Sequence, residues 1–132
     1  MEQIARYRIL GEVGRGAMGV VYRAQDPAIG RTVAIKTIRH SELGDPTERS
    51  KLHDRLAREA QSAGMLSHPG IVTIYDVGEE GDIAYIAMEF VDGPTLDRML
   101  ASDPPDAALV LSILSQTAAA LHFAHKPGIV HP

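Results

Sequence analysis

The sequence has no cysteine and no tryptophan, and aromatic residues make up only 5% of its 132 positions. The absence of cysteine excludes disulfide bonds and thiolate metal sites. Because aromatic side chains are scarce, the core must be built mainly from aliphatic residues and alanine. With a formal net charge of −4, the chain also lacks the basic excess typical of nucleic-acid-binding domains, so we expect no nucleic-acid partner.

Signals for secretion and membrane insertion are also missing from the sequence. No apolar segment follows the first four residues, so they do not form a secretion signal. The longest apolar stretch, residues 107–124, contains two serines, a glutamine, a threonine and a histidine, which favours a buried amphipathic helix over a membrane span. We therefore expect a cytoplasmic protein, with any membrane anchor of a longer parent chain lying outside these residues.

A glycine-rich run with Gly14, Gly16 and Gly19 is followed by β-branched residues and, further along, by Lys36. Glycine lets the backbone approach a phosphate because it has no Cβ atom, and lysine adds a compact positive charge. The order predicts a hairpin that closes over a nucleotide triphosphate above an ammonium group. A Rossmann dinucleotide site, and with it an oxidoreductase, is disfavoured because a strand rather than a helix follows the glycines.

Further residues complete this hypothetical nucleotide site. A buried Lys36 would require a carboxylate partner, and Glu59 on the next predicted helix is the candidate. Backbone groups of Glu89 and Val91 are candidates to bind the edge of a purine. The flat apolar slot for the purine ring is predicted from Val13, Val21 and Ala34. Taken singly, these features have plainer interpretations, namely an ordinary hairpin turn, a solvated lysine and a solvated helix carboxylate.

The predicted fold is α+β: a five-stranded antiparallel sheet with one packed helix, followed by two further helices. A helix with a capping box is predicted to begin at Asp45, a short one to span residues 95–101 and a long one residues 106–126. We place a domain boundary near Asp92, which divides the chain into residues 1–92 and 93–132. The strands are predicted at residues 7–13, 20–24, 32–38, 71–77 and 83–88.

Together these segments resemble the N-terminal part of a protein kinase domain, most closely that of bacterial Ser/Thr kinases of eukaryotic type. The resemblance covers nearly the whole chain and implies the small lobe, the hinge, and helices D and E of an incomplete large lobe. It rests on residues 13–21, 33–36, 58–60, 68–72, 88–93 and 124–131.

The resemblance implies that ATP is the cofactor and that proteins are the substrates of the parent kinase. Lys36 would contact the α- and β-phosphates and pair with Glu59, Met88 would be the gatekeeper, and Val72 would lie behind the adenine. Val91 would supply the hinge N–H group. The full set of implied nucleotide-binding residues is Val13, Gly14, Gly16, Gly19, Val21, Ala34, Lys36, Val72, Met88, Glu89 and Val91.

The resemblance stops at His131, which would be the first residue of the family's H-R-D motif, with Pro132 in place of the arginine. The family's catalytic Asp, metal-binding Asn and D-F-G Asp have no positions in these residues. We therefore expect this chain alone to be inactive and to hold no metal, with Mg²⁺ used only by the full-length parent. The alternative is a non-catalytic, pseudokinase-like module that binds a nucleotide or a partner. Without the rest of a large lobe, the apolar side of helix 106–126 lacks its usual cover, and we expect the helix either to dock elsewhere or to drive self-association.

Overall fold

The computed structural model describes residues 2–16, 19–39, 51, 54, 57, 58, 61, 68–102 and 105–125. The described residues contain one six-stranded sheet with the order β1-β2-β3-β4-β6-β5, in which every neighbouring pair is antiparallel. This architecture confirms the predicted α+β class. The strands are β1 (Gln3–Ile4), β2 (Tyr7–Gly16), β3 (Gly19–Asp26), β4 (Arg31–Arg39), β5 (Ile74–Glu80) and β6 (Ile83–Glu89).

The predicted count of five strands is corrected by the short strand β1, which pairs Ile4 with Tyr7. A strand of two residues is too short for alternating hydrophobicity to reveal it. It still contributes to the core, because Ile4 is only 1% exposed and Tyr7 is fully buried. The turn between β1 and β2 includes Ala5, whose φ of 50° lies in the left-handed region that alanine rarely adopts.

Alternation along the strands divides the apolar side chains between the two faces of the sheet. The larger core cluster lies on one face and includes Val33 and Ile35 of β4 together with Tyr85 and Ala87 of β6. A smaller cluster on the other face joins Ile38 of β4 to residues of β6. Strand β4 is therefore covered on both faces over part of its length.

The chain divides into two compact units, Met1–Met65 with Thr73–Phe90 and Leu66–Val72 with Val91–Pro132. The domain boundary that we placed near Asp92 stays a prediction. Of the helix predicted to begin at Asp45, five positions are described (51, 54, 57, 58 and 61), and all five are helical and exposed. Glu59 lies outside the described residues.

The second unit contains helices α1 (Leu96–Ser102) and α2 (Ala107–His125). A carboxylate oxygen of Asp106 accepts the backbone N–H of Leu109 at 2.8 Å, which caps the start of α2. Near its other end, the ring of Phe123 lies 5.0 Å from that of His68. In the described part of the chain, α2 is the one helix whose length and composition would allow it to cross a membrane, and core helices of soluble domains share those properties.

Candidate functional site

The glycine-rich run forms the end of a β-ribbon, and we call residues 14–21 the glycine hairpin. Its two legs pair Gly14 with Val21 and Gly16 with Gly19. The strands therefore extend further into the glycine run than the sequence predicted, and residues 17 and 18 lie outside the described residues. The ribbon brings the first leg directly alongside the leg that leads towards β4.

The three glycines meet different surroundings. A Cβ atom added at Gly14 or Gly16 would have no neighbouring atom within 4 Å. Gly19 has a φ of +133°, and an added Cβ would lie only 1.8 Å from the carbonyl oxygen of Thr37. The first two glycines thus leave the surface of the ribbon open, whereas the third is required by close backbone packing.

Lys36 lies in β4 between Ile35 and Thr37, which are 0% and 5% exposed. Its pairing partners are Val21 of the glycine hairpin and Ile86 of β6. Alternation turns its side chain away from the larger core cluster, to the face that also carries Ile38, and Lys36 is exposed there although Ile38 is buried. Among the described residues, Lys36 forms no ion pair, and its pairing with Glu59 stays a prediction.

An apolar surface lies beside Lys36 on the same face of the sheet. Ala34, which is 8% exposed, pairs with Met88 of β6, and both Val21 and Met88 are half-buried. We call this surface, formed by Val21, Ala34, Lys36 and Met88 on three adjacent strands, the Lys36 face. Val13 is 49% exposed and lies at the register shift between Glu12 and Gly14.

Comparison with known proteins shows the family to which the chain belongs. A family model for the protein kinase domain matches residues 7–132. The chain belongs to the protein kinase family. It is 45% identical over 127 residues to the Ser/Thr-protein kinase PrkC of Bacillus subtilis, covering 96% of this chain and 19% of that protein. It is 41% identical over 128 residues to the Ser/Thr-protein kinase PknB of Mycolicibacterium smegmatis, covering 92% of this chain and 20% of that protein.

A solved structure supports the same assignment. The kinase domain of Mycobacterium tuberculosis PknI superposes with a TM-score of 0.79 at 32% identity, covering 96% of this chain and 50% of that domain. This kinase chain therefore spans about a fifth of the length of the curated relatives that it matches and half of the solved domain. The predicted membership in the kinase family, as the N-terminal part of a kinase domain, is confirmed.

Glu89, which the resemblance assigns to the kinase hinge, is the last residue of β6. Its backbone N–H donates to the carbonyl oxygen of Thr73 at 2.8 Å, and its carboxylate accepts the N–H of Thr73 at 3.2 Å. Both bonds fasten the end of β6 to the residue before β5. Val72 and Val91, which are 39% and 61% exposed, belong to the second unit, and their roles at a nucleotide stay predictions.

Sequence reasoning missed a polar network in the first unit. The carboxylate of Asp26 is almost fully buried, and it accepts bonds from the Arg6 guanidinium at 3.3 Å and from the N–H of Ala28 at 3.0 Å. The hydrogen bond from Arg6 holds the pKa of Asp26 below its ordinary value. The Tyr7 hydroxyl donates to Asp76 at 3.1 Å, and burial, reinforced by the Asp76 charge, raises the pKa of Tyr7 to about 12. The Arg6 guanidinium also lies 3.5 Å from a carboxylate oxygen of Asp76, so the network joins the β3–β4 turn to β5.

Proposed function

We propose that this chain is the nucleotide-binding part of an ATP-dependent protein Ser/Thr kinase. The observation that carries the proposal is the Lys36 face, where Val21 lies beside Lys36 and Ala34 beside Met88 at the base of the glycine hairpin. Membership in the kinase family supports ATP as the nucleotide and proteins as the substrates of the whole enzyme.

The apolar residues of this surface suit the adenine of ATP, and the glycines and Lys36 suit its phosphates. Val21, Ala34 and Met88 offer an apolar surface to the adenine ring, whose flat faces gain from leaving water. The open backbone at Gly14 and Gly16 fits a phosphate chain, since no side chain occupies that space. The exposed Lys36 ammonium reaches the same side and would contribute a charge-assisted hydrogen bond worth about 1.5–3 kcal/mol.

The proposed roles of the remaining residues follow from the family. We assign to Glu59 the carboxylate that orients Lys36, to Val72 a contact behind the adenine, and to Val91 the hinge N–H. The carbonyl of Glu89 would accept a bond from the purine edge, since its N–H and carboxylate are engaged with Thr73.

We propose that phosphoryl transfer belongs to the parent protein and not to residues 1–132 alone. The reaction needs carboxylates that orient the attacking hydroxyl and hold Mg²⁺. In the kinase family these carboxylates belong to the H-R-D and D-F-G motifs, and residues 1–132 contain neither triplet. The 132-residue chain should therefore bind ATP without phosphorylating a protein. We also propose a cytoplasmic site of action, with any membrane anchor elsewhere in the parent.

Nucleotide titration tests the binding proposal. ADP added to the purified chain should give saturable binding, and amide hydrogen exchange should slow at Gly14, Gly16 and Val21 in the complex. Adenosine at the same concentrations is the matched control, because it offers the same purine and ribose without phosphates. No binding of ADP, or protection confined to the second unit, would refute the proposal.

Self-association through α2 is a second proposal, and it rests on a different observation. Large apolar side chains of this helix are exposed, with Leu111 and Leu114 at 67% and 61%. Large exposed apolar side chains of this kind favour association, and we propose a second copy of the chain as the partner of this helix. Leu111→Glu should shift the chain to monomer in light scattering, whereas Gln116→Glu, with the same charge change and no apolar loss, should not. A wild-type chain that is monomeric at high concentration rules this out.

A further inference from the structure

We propose that Thr37 is a positioning residue for nucleotide binding, because it fastens the second leg of the glycine hairpin to the strand that carries Lys36. The inference rests on the proposed function, and it assigns a role to a residue outside the predicted nucleotide-binding set. Thr37 follows Lys36 in β4, but alternation directs its side chain to the opposite face of the sheet.

The first contact is a hydrogen bond across the strands. The Thr37 hydroxyl is buried and donates to the carbonyl oxygen of Val20 at 2.9 Å. Val20 and Thr37 are also directly paired in the ladder, and the next pair is Val21 with Lys36. The bond therefore fixes the register at the residue that precedes the proposed adenine contact of Val21.

The second contact involves the backbone of Thr37. The carbonyl oxygen of Thr37 lies where a Cβ atom at Gly19 would have to be, so the hairpin leg approaches β4 as closely as glycine allows. The two contacts hold adjacent residues of the hairpin leg, one at Gly19 and one at Val20. Both contacts come from the residue that follows Lys36. The distance between the glycine hairpin and the Lys36 ammonium group therefore depends on Thr37.

The first leg of the hairpin is held differently. Open space surrounds the Cβ directions of Gly14 and Gly16, so a ligand can approach this leg without a side-chain clash. The first leg is paired to the second leg, which Thr37 holds to β4, so the ribbon presents its backbone N–H groups at a defined distance from Lys36. Loss of the fastening bond should therefore weaken phosphate binding more than it weakens the fold.

The experiment compares ADP affinity among variants of the 132-residue chain. Thr37→Val keeps the shape and removes the hydroxyl, and it should weaken ADP binding by between about twofold and roughly fivefold, the upper limit set by the free energy of one hydrogen bond. Thr37→Ser keeps the hydroxyl and should stay within about twofold of wild type. Ile4→Val serves as the stability control, since it loses a methyl group from the core of the same unit without touching the hairpin, and its ADP affinity should be unchanged.

The possible outcomes separate the two proposals. If the wild-type chain does not bind ADP, both the proposed function and this inference fail. If the wild type binds and folded Thr37→Val binds equally well, only the role of Thr37 is overturned. If Thr37→Val does not fold, Thr37→Ser and Thr37→Ala give the same contrast, because both lose the methyl group and only one keeps the hydroxyl. Equal affinities of that pair overturn the inference.

Discussion

Replacing Gly19 with alanine should damage the glycine hairpin through the fold itself, unlike the same change at Gly14 or Gly16. The new methyl group would lie 1.8 Å from the Thr37 carbonyl oxygen, far inside van der Waals contact. Backbone atoms form the obstacle, so no side-chain rotation relieves it. The φ of +133° at this position adds strain for any residue with a Cβ atom.

Two costs add at Gly19. An unfavourable backbone conformation costs about 1–3 kcal/mol, and forcing extra volume into a packed site costs a similar amount. The expected loss is at least 2 kcal/mol, a large share of the roughly 5–15 kcal/mol that stabilises a typical domain. At Gly14 and Gly16, where the Cβ direction is open, the expected change stays within about 1 kcal/mol.

Urea unfolding followed by circular dichroism measures these differences. Gly19→Ala should unfold at clearly lower urea with an unchanged slope, whereas Gly14→Ala and Gly16→Ala should unfold close to wild type. Three equal losses, or a wild-type midpoint for Gly19→Ala, would show that the close approach to Thr37 does not exist in solution.

Three further predictions concern the stability of the first unit. Ala5→Gly should raise the free energy of unfolding by about 0.5–1 kcal/mol in urea titrations, because glycine accepts the positive φ without strain; a loss of stability would contradict this. The free energy of unfolding should fall from pH 10 to pH 12, because the folded state keeps the Tyr7 proton that the unfolded chain releases. Denaturant midpoints measured across this range should decrease less in Tyr7→Phe than in wild type. Asp26→Asn should have a lower free energy of unfolding than wild type at pH 7, because it lacks the charge that pairs with Arg6. The difference between the two proteins should narrow when the pH falls through the lowered pKa of Asp26, since protonation removes the same charge from the wild type. A difference that is independent of pH would refute this prediction.

The Lys36 face could be predicted because it depends on local rules. Strand alternation places Ala34 and Lys36 on one face whatever the rest of the chain does. Lys36 is exposed whereas Ala34 on the same face is buried, because burial depends on which elements cover a face, and alternation alone does not determine that. The glycine run likewise signalled a hairpin, but its three glycines looked equivalent in the sequence.

The remaining features depend on partners that are distant in the sequence. Gly19 differs from Gly14 only because β3 packs against the Thr37 backbone, and the partnership of Asp26 with Arg6 forms only when the sheet is assembled. Strand β1 escaped prediction because two residues carry no periodicity, and its burial comes from tertiary packing of Ile4. Such contacts have no local signal, so sequence reasoning missed them.

The most direct test of the proposed nucleotide site is calorimetric titration of ADP into wild type, Lys36→Ala and Arg39→Ala. Both residues are exposed cations of β4, but the odd spacing between them places their side chains on opposite faces of the sheet. Lys36→Ala should weaken ADP binding at least about tenfold, the loss expected for a charge-assisted hydrogen bond, whereas Arg39→Ala should leave it nearly unchanged. Equal losses in the two variants, or no loss in Lys36→Ala, would contradict the claim that the Lys36 ammonium contacts the phosphates.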